Sequence, residues 1–158
     1  MATAHDGTSL SYFNGTAPAW GTSGNGFGQP TILKFHFDMA KISSDLGATI
    51  DGSSSDYITF WAIPAYTFIH SLALYVTTAE GATATVAISD GSNTMIAATT
   101  INTAGTFAGT TGSETLGALG GIWYTASGSY LRATFATAAD IDAAVFDVYV
   151  ICTMLDPA

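Results

Sequence analysis

The sequence predicts an all-β protein, an antiparallel β-sandwich of jelly-roll-like character with about eight strands, led in by an extended N-terminal arm. Three observations point there. Apolar residues alternate with polar ones over short runs instead of recurring at helical spacing. Clusters of Gly, Asp, Asn and Ser punctuate those runs at close intervals. No segment supplies the long amphipathic helix that a parallel sheet would need between its strands. The chain accordingly divides into an arm, residues 1–30, and a sandwich domain, residues 31–158.

The arm is rich in Gly, Ser, Thr, Asn and Ala, with isolated aromatics at Tyr12, Phe13, Trp20 and Phe27. Neither a period of 2 nor one of 3.6 runs through it, so its composition is that of a flexible segment when free in solution. Scattered aromatics would tie such a segment to a surface. That surface is either the chain's own domain or, as we expect, a neighbouring subunit, with Phe13, Trp20 and Phe27 as the interface anchors.

From Ile32 to Asp38 the alternation is clean, with Leu33, Phe35 and Phe37 on one face and Ile32, Lys34, His36 and Asp38 on the other. Met39 to Leu46 either continues that strand or forms a short helix. Asp51 to Asp56 is a loop by composition. Tyr57 to Ile63 is rich in aromatic and β-branched residues and ends at Pro64. Phe68 to Thr78 reads as a longer strand. Ala82 to Ser89 and Thr94 to Ile101 flank Asp90-Gly91-Ser92-Asn93, a hairpin turn. Asn102 to Gly121 is Gly/Thr-rich and long for a plain connection. Ile122 to Thr125 and Tyr130 to Phe135 flank Ala-Ser-Gly-Ser and predict a second hairpin. Thr137 to Ala144 predicts one helical turn capped by Thr137, with Asp140 near its positive end. In the last strand Val145, Asp147, Tyr149, Ile151 and Thr153 alternate with Phe146, Val148, Val150, Cys152 and Met154.

Composition excludes several functions. Only 9% of the 158 residues are charged, against about 25% in ordinary domains. A folded monomer of this mass exposes roughly 7,500 Å², which leaves about one charge per 500 Å². So sparse a charge keeps monomers apart poorly, which implies that much of the surface is covered in an assembly. The net charge of −9 argues against a nucleic-acid partner, since phosphate binding needs clustered Lys and Arg and only Lys34, Lys41 and Arg132 are present. An anionic membrane surface is excluded for the same reason, and no run approaches a membrane span. The N-terminal residues lack a positive n-region and an apolar h-region; synthesis in a host cytoplasm without classical export is expected. The single Cys152 provides no disulfide framework and reads as a small buried hydrophobe.

No constellation of catalytic residues emerges. His5, His36 and His70 are far apart and lack metal-ligand spacing, although titration of such side chains near pH 6 could tune assembly. Gly112-Ser113-Glu114 and Gly128-Ser129-Tyr130 are not a G-x-S-x-G elbow. Glycosidase chemistry needs two opposed carboxylates, and Glu80 and Glu114 read as solvated turn residues. Gly24 to Gly28 has neither a strand before it nor a helix after it, as a phosphate-binding glycine loop requires. Asp51 to Asp56 and the pair Asp140 and Asp142 could offer oxygens to Ca²⁺, but neither matches the D-x-[DN]-x-[DN]-G loop. Asn14-Gly15-Thr16 matches a glycosylation acceptor by accident where no export signal accompanies it. Arg132 is expected to pair with an acidic neighbour. Trp20, Trp61 and Trp123, with Tyr57, Tyr66 and Tyr124, could stack on sugars but suit core and interface anchoring better. No catalytic, cofactor or metal residue is therefore assigned.

The uncharged arm, the compact β domain and the closing segment Ala144 to Asp156 (AVFDVYVICTMLD) together resemble the small virion structural proteins of tailed bacteriophages, in particular head decoration (cement) proteins. The resemblance implies a non-enzymatic module on the capsid exterior, contacting the major capsid protein and copies of itself at local symmetry axes, often as trimers, and stabilising the shell. An acidic protein suits that exterior, because a lumen filled with DNA would repel it. Two other readings remain: a receptor- or glycan-binding fibre or adhesin module, and a secreted enzyme domain.

Overall fold

A computed structural model describes residues 2–6, 30–109, 121–126, 128–138 and 140–154. In chain order they form β1 (Ala4–Asp6), β2 (Thr31–Asp38), α1 (Met39–Leu46), a 3₁₀ turn (Gly52–Ser54), β3 (Tyr57–Ile63), β4 (Thr67–Thr78), β5 (Thr85–Ser89), β6 (Thr94–Thr100), β7 (Phe107–Gly109), β8 (Ile122–Tyr124), β9 (Ser129–Ala136) and β10 (Val145–Met154). The all-β sandwich expected from the alternation is present, with ten strands where about eight were expected. The first sheet has the order β1-β3-β9-β5-β6. The second runs β2-β10-β4, with β7 and β8 both on the outer edge of β4, at Ala73–Tyr75 and Thr67–Ile69 respectively. All described pairings are antiparallel except β1 with β3.

The core lies between the sheets and is built on aromatic contacts that bridge them. Phe37 of β2 stacks on Phe146 of β10 at 4.6 Å, and Phe60 of β3 meets Phe37 edge-on at 5.2 Å from the opposite sheet. Phe135 of β9 reaches Phe146 at 6.3 Å. Such rings add about 0.5–1.5 kcal/mol per pair beyond the area they bury. The inward residues anticipated for β10 are all buried, Cys152 among them, and burial pushes its thiol up to about 11.

Met39–Leu46 resolves to a helix. Asp38 caps it by accepting from the Lys41 amide at 3.1 Å, Met39 and Ile42 face the core, and Gly47 ends it in the left-handed region at φ 61°. The Asp90–Asn93 turn closes the β5–β6 hairpin, its Asp90 amide donating to the Asn93 carbonyl at 3.1 Å.

Three local expectations are corrected. Ile122–Thr125 and Tyr130–Phe135 do not form a hairpin: β8 joins β4 in the second sheet, and β9 lies between β3 and β5 in the first. Gly121 permits the β8 placement, because a Cβ there would lie 2.2 Å from the Phe68 ring. Thr137–Ala144 does not form a helical turn either. Thr137 sits at φ 81°, which cannot start a right-handed helix, and its hydroxyl donates to the Thr83 carbonyl at 2.8 Å instead of capping. The segment's polar groups find distant partners: Ser53 N–H donates to Ala138 O at 2.9 Å and Ile141 N–H to Ile50 O at 3.0 Å. Glu80, expected to be a solvated turn residue, is 5% exposed and accepts from the Ala143 and Ala144 amides at 3.1 Å.

Candidate functional site

The outer face of the second sheet is the candidate site. β10 is its central strand, so residues that alternate away from the core lie between β2 and β4. Register places Asp147 opposite His36 and Tyr75, Tyr149 opposite Lys34 and Ala73, and Ile151 opposite Ile32 and Ser71. Asp147 is thereby surrounded. Its Oδ1 accepts from His36 Nδ1 at 2.7 Å, its Oδ2 pairs with Lys34 Nζ at 2.9 Å, and the Tyr149 hydroxyl donates to Oδ2 at 3.4 Å. The Asp147 side chain is 8% exposed, while Lys34 and His36 keep about half of theirs in solvent, at 52% and 48%. Burial alone would raise the Asp147 carboxyl; the His36 and Lys34 hydrogen bonds outweigh it and hold the group below the ordinary carboxylate range. The same bond to Asp147 raises Lys34.

Apolar side chains surround this neutralised cluster. Ile32, Tyr75, Phe107 and Trp123 are exposed on this face, Phe107 pairing with Tyr75 across β7 and β4. Toward the β8 end, Trp123 lies 6.2 Å from Phe68, which meets His70 edge-on at 4.7 Å. The His70 Nε2 and the Thr153 hydroxyl share a hydrogen bond of 2.7 Å. Exposed apolar side chains gathered on one face make it a candidate contact surface.

A second constellation closes the opposite edge of the first sheet. Asp56, 3% exposed, accepts from Thr3 N–H at 2.6 Å, Asp51 N–H at 3.0 Å and His5 Nε2 at 3.3 Å. Burial opposes ionisation here too, and the Asp51 and Thr3 amides with the His5 ring overcome it, so the carboxyl is held low. Asp51 accepts from the Ser53 and Ser54 hydroxyls at 2.6 and 2.9 Å. The Asp51–Asp56 oxygens considered for Ca²⁺ thus already serve N–H and O–H donors. Asp140 and Asp142 lie exposed in the loop before β10. Among the described residues no group of three or more His, Cys, Asp or Glu side chains could hold a metal ion. Nor is any helix among them long and apolar enough to cross a membrane.

The remaining candidates are distributed as follows. Arg132 was expected to pair with an acid; instead its Nε donates to the Ser89 hydroxyl at 3.2 Å, an Nη to the Gly91 carbonyl at 3.4 Å, and its guanidinium lies 4.9 Å over the Tyr57 ring. Trp61 packs on the core beside Phe35 at 6.0 Å. Tyr124 is buried and donates to Asp90 at 2.6 Å; Tyr66 is exposed. Phe13, Trp20, Phe27, Gly24–Gly28, Asn14–Thr16 and Glu114 lie outside the described residues. The first described residues of the arm form β1, which pairs with β3. The Asp147 hub was missed from sequence, although an acid inside an otherwise apolar alternating strand was its visible signal.

Fold and site together define a two-sheet, mainly antiparallel sandwich with a candidate contact face on the second sheet. No protein-family model matches the sequence, and no curated protein does. The fold is nevertheless similar to that of a chain in the capsid of Ralstonia phage GP4, with a TM-score of 0.55 at 14% identity, covering 85% of this chain and 90% of that one.

Proposed function

We propose that this protein is a non-enzymatic virion structural component, a decoration or cement protein that binds the exterior of a phage capsid and stabilises it. The observation that supports its coarser part, a virion structural role, is the sandwich shared over 85% of this chain with a chain in the capsid of Ralstonia phage GP4. Physical features agree with it. Sparse charge suits repeated subunit interfaces, which deplete charged residues at their centres. The net charge of −9 suits a location outside a DNA-filled shell. The outer face of the second sheet, with Tyr75, Phe107 and Trp123 exposed around the paired Asp147, offers an apolar surface for such a contact.

The test is co-sedimentation of the purified chain with capsids that lack it, quantified against the major capsid protein. Saturable binding in fixed proportion to the shell subunits is expected. Trp123→Asp and a Phe13/Trp20/Phe27→Ala triple variant should each lose it while keeping the wild-type circular dichroism spectrum. Recovery in only a few copies per particle, together with tail or fibre proteins, would favour the receptor-binding reading and overturn this one.

A further inference from the structure

We infer that the β1 site on β3 is an exchange site, filled in the assembled protein by residues 3–6 of a second copy of this chain. The inference does not depend on where the protein sits in a virion. The site is built as a receptor for a short extended peptide. Its strand, β3, offers the Tyr57 amide to Thr3 O at 3.0 Å and the Thr59 hydroxyl to His5 O at 3.2 Å. At its mouth the buried Asp56 carboxylate takes Thr3 N–H and the His5 ring. Without such a peptide Asp56 would lose the Thr3 amide and the His5 ring and keep the Asp51 amide of these three donors. The edge of β3 is thus fitted to an occupant, and nothing in these contacts requires that it come from the same chain.

Chain length leaves the neighbour within reach. β1 runs parallel to β3, so no hairpin delivers it. Asp6 stands level with Thr59, next to Phe60, which touches Phe37 across the core. Thr31 begins β2 six positions before Phe37 on the same strand. At about 3.3 Å per residue along a strand and about 10 Å between sheets, Asp6 and Thr31 are separated by about 20–25 Å. About seven extended residues would bridge that gap, whereas residues 7–29 reach roughly 75 Å when extended. A connection this long closes equally well onto an adjacent molecule, and fixed neighbours raise the effective concentration of the second copy's strand. The exchanged strand makes the same bonds in either arrangement, so assembly alone decides between them. Head-to-tail exchange closes rings, and reciprocal exchange makes two-fold pairs.

The register supplies the test, since Ala4 stands opposite Tyr57 at a spacing a disulfide can span. Full-length chains carrying Ala4→Cys and differently tagged chains carrying Tyr57→Cys are co-expressed, oxidised and run under denaturing, non-reducing conditions. Exchange yields a covalent heterodimer of the two tags that reduction dissolves. The double variant Ala4→Cys/Tyr57→Cys in a single chain should give covalent multimers when assembled and an internally closed monomer when diluted. A double variant that closes only within its own chain at every concentration would overturn the inference. So would the absence of the mixed heterodimer.

Discussion

Two regions of this molecule each bury one carboxylate, and they satisfy it in opposite ways. At the edge of the first sheet Asp56 is held mainly by backbone amides, those of Thr3 and Asp51, with the His5 ring completing the set. In the middle of the second sheet's outer face Asp147 is held by side chains, the Lys34 ammonium and the His36 ring, both of which remain half in solvent. Amides fixed by the fold cannot swing back to water when their acceptor is lost, whereas a lysine and a histidine on a sheet surface can. Asp56 therefore ties chain segments together, and Asp147 cancels charge on a face that is otherwise apolar. The contrast also revises the meaning of the net charge of −9. Asp51, Asp56, Glu80, Asp90 and Asp147 are internal acceptors, so the acids are as much part of the fold's construction as of its surface field.

Removing the amide-held acid should have the larger effect. In Asp56→Ala the Thr3 and Asp51 amides and the His5 ring lose their acceptor together; because these donors are only partly buried, each loss costs about 0.5–1.5 kcal/mol. A lowered denaturant midpoint with unchanged slope is expected, accompanied by hydrogen-exchange deprotection at Tyr57, whose amide pairs with Thr3. A midpoint equal to that of wild type would show that β1 is held without Asp56.

Acidification tests both regions at once. Asp56, Asp90 and Asp147 are all held below the ordinary carboxylate range in the folded chain. A group whose folded pKa is depressed contributes stability that is fully present above its unfolded value, near 4, and that disappears as pH falls through the folded value. Thermal midpoints should hold steady from neutrality down to about pH 5 and fall below about pH 4. Asp56→Asn, already without that linkage, should show a shallower acid limb. A wild-type midpoint that rises on acidification below pH 4 would contradict the assignment of these acids as native-state acceptors.

How much of this was legible in the sequence depends on the range of the interaction. The faces of β2 and β10 follow from alternation alone, because a strand's two sides are a local property: Phe35 and Phe37 are buried, and Lys34 and His36 are turned outward. The Asp90–Asn93 turn is equally local, with its acid accepting from the two residues that follow Gly91. Partners far along the chain defeat such reading. The amides of Ala143 and Ala144 are answered by Glu80, so the described residues of a stretch with a helical composition form no helix, and an acid in a turn-like context is buried. β8 was mispaired because β4 and β9 compete for it across the two sheets and only packing against Phe68 decides. β1, three residues long and parallel, is too short to display any alternation. Within the candidate site, each residue's orientation was readable, but Asp147 becomes a hub only because β2 lies beside β10, a neighbour relation that no local pattern encodes.

The smallest expected effect sharpens the comparison from the cation side. In Lys34→Met the ammonium is lost, while a straight chain of similar length still covers the Tyr149 ring, over which Nζ now sits at 5.8 Å. His36 and the Tyr149 hydroxyl remain as donors to Asp147, so the carboxylate is not orphaned. Pairs with one partner in solvent contribute about 1 kcal/mol or less, and the change in denaturant midpoint should fall within that range. The electrostatic consequence is larger than the energetic one: with one cation gone, Asp147 is less fully cancelled and the apolar face around Tyr75 and Trp123 acquires negative character. If this face meets the shell, capsid binding of Lys34→Met should weaken more than its stability does. A loss of binding no greater than the loss of stability would assign the Asp147 cluster to folding alone and move the contact surface elsewhere on the sandwich.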